Sequence, residues 1–257
     1  MLRVMRKGLI VNKLEVMKEK TKGDIEKNIS STIEGFKPDF KIEEMDVYLY
    51  TYPAILNHFK TFNQKLKDLK DPPSEELIQE LAICTLIVYG WMPTIPKNLN
   101  NLKDNNTNPQ LNKLGIEACK ILSDFKLRTE NSDSDNISKE EAIKLQTIIK
   151  YTNGSLVGAS KLLHFLFPQK FPIWDSRIYK KLTGQKGTNS IKNIKYYSFY
   201  IKELNKHLDN SNVLKVKKKL QDFYTKNKFN NIEISNIRAA ELIIFLESKK
   251  KDKENTE

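Results

Sequence analysis

Cysteine is scarce in this chain: 257 residues contain two, Cys84 and Cys119. Two thiols cannot build a disulfide framework or a four-ligand metal site, and both fall inside helix-patterned segments. A reduced, cytoplasmic protein with no cofactor and no metal is expected. Histidine is nearly as rare, with three. His164 has no second His or Cys at ligand spacing and reads as a hydrogen-bonded structural residue. Long apolar runs are missing too. The longest, Leu81–Tyr89, is broken by Thr85 and falls far short of the roughly 18 residues that span a bilayer, so no membrane partner is expected. Met1–Lys13 is basic but lacks a long apolar core and a small-residue cleavage site, which argues against a signal peptide. Strand-like alternation and internal repeats are absent.

Basic charge is abundant. Lys and Arg number 44 against 32 Asp and Glu, a net charge of +12, with 39% apolar residues spread evenly enough for a folded core. The excess is concentrated. Arg177–Lys228 holds 14 basic and 3 acidic residues, a net +11, leaving +1 for the rest of the chain. Localised charge of this sign suits a polyanion, most often nucleic acid. Tyr179, Tyr196, Tyr197, Phe199, Tyr200, Phe223 and Tyr224 are interleaved with it. They could stack on bases, but core-facing positions on a solvated helix pair are the better reading for most of them.

The pattern is helical nearly throughout, so the expected fold is all-α, in two parts with a cleft between them. Residues 1–43 form a polar, weakly periodic lead-in segment. Residues 44–137 form a helical N-terminal subdomain, with helices at Glu44–Lys70 (interrupted near Pro53), from Ser74 to Trp91, and at Leu111–Leu127. Leu77, Leu81, Cys84, Leu86, Val88 and Trp91 are its expected apolar face before Pro93 and Pro96. The linker at 128–137 leads to a second subdomain, 138–248, and a charged tail, 249–257. Ser138 and Glu141 form a capping-box pattern. Thr152-Asn153-Gly154-Ser155 reads as a tight turn, with Asn-Gly supplying positive φ. Ala159–Phe167 is the next helix, and Pro168–Trp174 an extended link. Asp175 caps a helix to Leu182, and basic helices follow at 190–208 and 212–227. Ser235–Lys249 closes the fold, and Arg238 and Glu241 within it stand at pairing distance (i,i+3).

The informative stretch is Thr152–Leu182, TNGSLVGASKLLHFLFPQKFPIWDSRIYKKL. It puts one amine and one carboxylate on adjacent elements. Lys161 lies among Leu162, Leu163, Phe165 and Leu166, where partial burial would free its lone pair for attack; a Lys snorkelling from an amphipathic helix is the plainer alternative. Asp175 is placed to have its carboxylate fixed by backbone N–H groups, and could be a cap alone.

These residues resemble the core of the helix-hairpin-helix DNA glycosylase superfamily, in particular proteins with the 8-oxoguanine DNA glycosylase fold. The resemblance runs over about 30 residues: Gly158 and Lys161 in SLVGASK, then Pro172, Ile173 and Asp175 in FPIWDSRIYKKL. It is similar also to prokaryotic proteins carrying S-K-x-L-H-F and F-P-I-x-D-S-R. The hairpin here lacks the family's proline, the Lys161–Asp175 interval is about one helical turn shorter, and the four-Cys iron–sulfur cluster of some relatives is absent. The resemblance implies a monomer that flips a modified base out of duplex DNA and excises it. Lys161 would be the nucleophile, with β-elimination as a possible lyase step, and Asp175 would stabilise the sugar cation. Gly158, Arg177, Lys180 and Lys181 would contact DNA, while Trp174, Trp91 and Phe245 would be pocket candidates. A non-catalytic DNA-binding protein of the same fold is the alternative.

Overall fold

The computed structural model describes residues 20–40, 48–90, 109–131, 139–185, 193–229 and 232–254. All regular secondary structure among them is helical. Helix α1 covers residues 20–34. It is followed by α2 (Tyr48–Lys65), a 3-10 turn (Leu66–Asp68), α3 (Glu75–Gly90), α4 (Pro109–Asn131), α5 (Lys139–Tyr151) and α6 (Leu156–Leu166). Helices α7 (Ser176–Thr183), α8 (Ile194–Asn205), α9 (Ser211–Lys226) and α10 (Asn236–Glu254) complete the described chain. Among the described residues no helix is long and apolar enough to cross a membrane.

Two groups of helices carry the packing. Helix α2 packs on α3 and α6, and α3 also meets α4 and α6, while α10 packs against α7, α8 and α9. Core residues from Ile25 in α1 to Ile244 in α10 form one contiguous cluster. Residues 128–131 are the last turn of α4, and 132–138, including Ser138, lie outside the described residues.

Several expectations are corrected. The lead-in segment contains α1, because Ile25, Ile29 and Ile33, spaced every four residues among polar neighbours, make one buried stripe. That helix docks on the later part of the chain. Asn28 Nδ2 donates to Leu182 O (2.7 Å), Gln185 Nε2 to Thr21 Oγ1 (3.2 Å), and Asn212 Nδ2 to Ile33 O (2.9 Å). Pro53 does not interrupt α2. A proline inside a helix costs about 3 kcal/mol, and the burial of Leu49, Tyr52, Leu56, Phe59 and Phe62 offsets it. In α3 the buried stripe is Leu77, Leu81, Cys84, Thr85 and Val88. Leu86 falls off it and is 44% exposed, and Trp91, Pro93 and Pro96 lie outside the described residues. Glu141 is buried and pairs with Lys170 at 2.7 Å, tying α5 to the turn after α6, and the capping box expected between it and Ser138 falls on residues outside the description. The tail expected from 249 begins as helix, since α10 runs to Glu254.

The α5–α6 turn forms as the Asn-Gly pair predicts. Asn153 and Gly154 take φ of 54° and 71°, and Gly154 N–H donates to Ile149 O at 2.8 Å. Ser155 then caps α6, starting that helix three residues earlier than its apolar pattern suggests. Tyr89 of α3 reaches over the turn and donates to Thr152 O at 2.7 Å. Gly158 makes room for it: a Cβ there would lie 3.0 Å from Tyr89 Oη. Gly158→Ala should therefore lower stability by about 1–3 kcal/mol. Urea titration of the single and double variants checks the cause: in a Tyr89→Phe background the same substitution should cost less.

Candidate active site around Lys161 and Asp175

Helix α6 is apolar on nearly every side. Leu156, Gly158, Ala159, Ser160, Leu162, Leu163, His164, Phe165 and Leu166 are all buried. Lys161 is half-buried at its margin. Burial is the largest influence on its amine and lowers the pKa below the ordinary lysine value. The carboxylates of Asp175 and Glu241 pull the other way, and the Arg238 guanidinium adds to the lowering. Lys161 therefore shares one electrostatic neighbourhood with Asp175, as the sequence suggests, and with two α10 residues that it does not.

Asp175 is the N-cap of α7. Its Oδ1 accepts from Arg177 N–H and Ile178 N–H, both at 2.9 Å. The side chain is thereby held in one orientation at the positive end of a helix.

The link that delivers Asp175 opens with a turn at 168–170, where an extended segment was expected. Chain without regular secondary structure follows from Phe171, and Phe171–Trp174 is buried. Its backbone groups are taken by side chains. His164 Nδ1–H donates to Phe171 O (2.9 Å), and Tyr197 Oη donates to Pro172 O (2.9 Å). Ile173 N–H donates to Glu241 Oε2 (3.2 Å), and Trp174 N–H to Ser160 Oγ (3.0 Å). Ser160 shares its own proton between Val157 O (2.9 Å) and Trp174 O (3.2 Å).

His164 fills the structural role expected of it. A carbonyl at Nδ1 can only accept, so that nitrogen carries the proton and Nε2 accepts from Tyr52 Oη at 3.0 Å. Burial and Arg238 push its pKa down to about 3. The ring is neutral, and its 3.8 Å approach to Glu241 is not an ion pair. Arg238 pairs with Glu241 Oε1 at 2.6 Å and lies over the Tyr52 ring at 4.7 Å from its centroid. The i,i+3 pair anticipated in the sequence is thus present and buried. Burial pushes Glu241 up to about 7, against the pull of Arg238 and the Ile173 N–H.

The remaining candidates separate. Arg177 and Lys180 are exposed on α7, and Lys181 is partly buried. Phe245 is partly buried on α10, with Arg177 5.9 Å and Lys249 5.2 Å from its ring centroid, which places it beside the start of α7. Trp174 is a core residue, not a pocket wall: it is fully buried, and Tyr179, Tyr197 and Tyr200 surround its ring at 5.7, 6.1 and 5.2 Å. Gly158 is buried and its N–H is committed to Ser155 Oγ at 3.0 Å, so the backbone phosphate contact expected there is not available. Trp91 lies outside the described residues. Among them no group of three or more His, Cys, Asp or Glu side chains could hold a metal ion.

Ser160, Tyr197, Arg238 and Glu241 were not singled out as site residues. One signal was present for the last two: both charges stand within the apolar run Ile237-Arg238-Ala239-Ala240-Glu241-Leu242-Ile243-Ile244. Charges at such positions are buried only when paired. No family model, curated protein or solved structure matches the chain.

Two titrations follow. The 13Cε resonance of Lys161, assigned by Lys161→Arg, should titrate below those of exposed lysines. The lowered amine binds its proton less tightly folded than unfolded, so its contribution to stability rises as pH climbs from that midpoint toward the ordinary lysine value. Glu241 behaves oppositely. With a folded value of about 7 against an ordinary 4.5, its favourable contribution is complete below 4.5 and lost as pH rises through 7. Urea unfolding from pH 4.5 to 7.5 should show that decline, and Glu241→Gln should flatten it.

Proposed function

We propose that this protein is a DNA glycosylase of the helix-hairpin-helix kind, with α5, the 152–155 turn and α6 as its hairpin element and a cleft that admits one flipped base. The observation that carries the reading is a half-buried amine of lowered proton affinity within electrostatic reach of an N-cap carboxylate on the next helix. In the reaction the Lys161 Nζ lone pair bonds to the sugar C1′ as the C1′–N bond breaks. The electron pair leaves with the base, which takes up a proton. Asp175 stabilises the positive charge that develops on the sugar. Loss of one proton from nitrogen and transfer of the other to O4′ as the C1′–O4′ bond opens give an imine, from which loss of a C2′ proton and departure of the 3′ phosphate can cut the strand.

Exposed basic groups supply the affinity for the phosphate backbone. Besides Arg177 and Lys180, they include Lys195, Lys202, Lys215, Lys218, Lys226 and Lys228. Stacking on the interleaved tyrosines is no part of this, since Tyr179, Tyr196, Tyr197, Tyr200 and Tyr224 are buried.

Incubation with duplexes that each carry one modified base, in the presence of borohydride, tests the reading. A covalent protein–DNA adduct should form with at least one of them and disappear in Lys161→Gln. Asp175→Asn should slow base release by about 100-fold or more, while salt-dependent DNA affinity stays within about twofold. Steep salt-dependent binding with neither base release nor adduct, across the whole panel, would establish the non-catalytic DNA-binding alternative instead.

A further inference from the structure

The Lys161–Asp175 arrangement has a third participant on a helix that the sequence motif does not reach. Glu241 is fully buried on α10, and both of its oxygens are engaged. Oε1 is fixed by Arg238 at 2.6 Å, and Oε2 receives the N–H of Ile173, two residues before Asp175, at 3.2 Å. Arg238 is itself held against the Tyr52 ring. The carboxylate therefore cannot relax away from the link without leaving Ile173 N–H unpaired in the core.

We propose that Glu241 is a positioning residue for this site: it fixes the approach to Asp175 against α10 and presents a negative charge to Lys161. The proposal rests on the glycosylase reading of Lys161 and Asp175. The groups facing Glu241 come from five elements: Arg238 on its own helix, Lys161 and His164 on α6, Asp175 at the cap of α7, Tyr197 and Tyr200 on α8, and Tyr52 on α2. The charges that act on Lys161 include Asp175, Glu241 and Arg238. The Glu241 carboxylate touches the link directly and also acts on the amine.

Glu241→Gln and Glu241→Asp separate the two actions. The amide is nearly isosteric and uncharged, whereas the shorter acid keeps the charge and retracts it from Ile173. Two quantities are measured: the Lys161 13Cε titration midpoint in the free protein, and the pH dependence of borohydride trapping on abasic-site DNA. In Glu241→Gln the Lys161 midpoint should move down, because a carboxylate that favours the protonated amine is gone, and the trapping profile should move down with it. In Glu241→Asp the midpoint should stay near wild type, while the plateau trapping rate falls by about 10- to 100-fold through misplacement of Asp175. A purely structural carboxylate would leave the Lys161 midpoint unmoved in Glu241→Gln, and that result overturns the proposal. Should Glu241→Gln fail to fold, as judged by near-UV circular dichroism, Glu241→Asp decides: an undiminished plateau overturns the proposal. If the wild-type protein traps no DNA, the glycosylase reading falls by itself, and the midpoint shift alone supports or overturns the role of Glu241.

Discussion

A buried stretch of chain that is neither helix nor strand must find a partner for each backbone polar group. Phe171–Trp174 is such a stretch, and the surrounding helices are arranged to meet its demand. Helix α6 contributes Ser160 and His164, α8 contributes Tyr197, and α10 contributes Glu241. The side chains that do this are themselves tied down, His164 by Tyr52 of α2 and Glu241 by Arg238. Asp175 follows directly on this braced segment, so the carboxylate inherits the rigidity of four helices instead of the mobility of a loop. Preorganisation of this kind is what a reacting group needs, since geometry fixed in advance is not charged against the barrier.

The same constraint explains what could and could not be read from the sequence. Helices with an apolar stripe of regular period were legible. So were local devices whose chemistry acts within four residues: the Asn153–Gly154 turn, the Asp175 cap and the Arg238–Glu241 pair. Lys161 and Asp175 stand out as candidates because a spaced motif carries them. Ser160, Tyr197 and Glu241 act across the core on a chain segment far from them in sequence, Glu241 at a separation of 68 residues, and no local pattern encodes that pairing. Trp174 illustrates the converse. Its place in the motif invited a role at the pocket, but three tyrosines from α7 and α8 enclose it, and their convergence is visible only in three dimensions. Helix α1 was missed because three isoleucines among charged residues make too narrow a stripe to stand out.

The basic stretch divides into two populations. Lys206 is bound to Glu203 and Glu26, and Lys219 donates to the carbonyls of Pro38 and Phe40 while lying over the Phe40 ring. These cations hold the N-terminal part of the chain to α8 and α9. The exposed remainder lies on helices whose aromatic residues point inward, so the surface is cationic without being sticky. A polyanion meeting it would be held by its backbone charge, with sequence or lesion recognition left to the site itself.

Helix α1 closes onto residues far down the chain. Asn28 reaches Leu182 across 154 positions, and Ile33 accepts from Asn212 across 179. The first of these contacts cannot form on a growing chain until residue 182 has been made, and the second until residue 212. During synthesis the first helix must wait undocked, with its isoleucine stripe uncovered, while the central helices assemble. The brace on the C-terminal end of α7, whose other end carries Asp175, therefore waits until α7 itself has been made. The helix that carries Asp175 is thus braced by a segment made more than 150 residues before it.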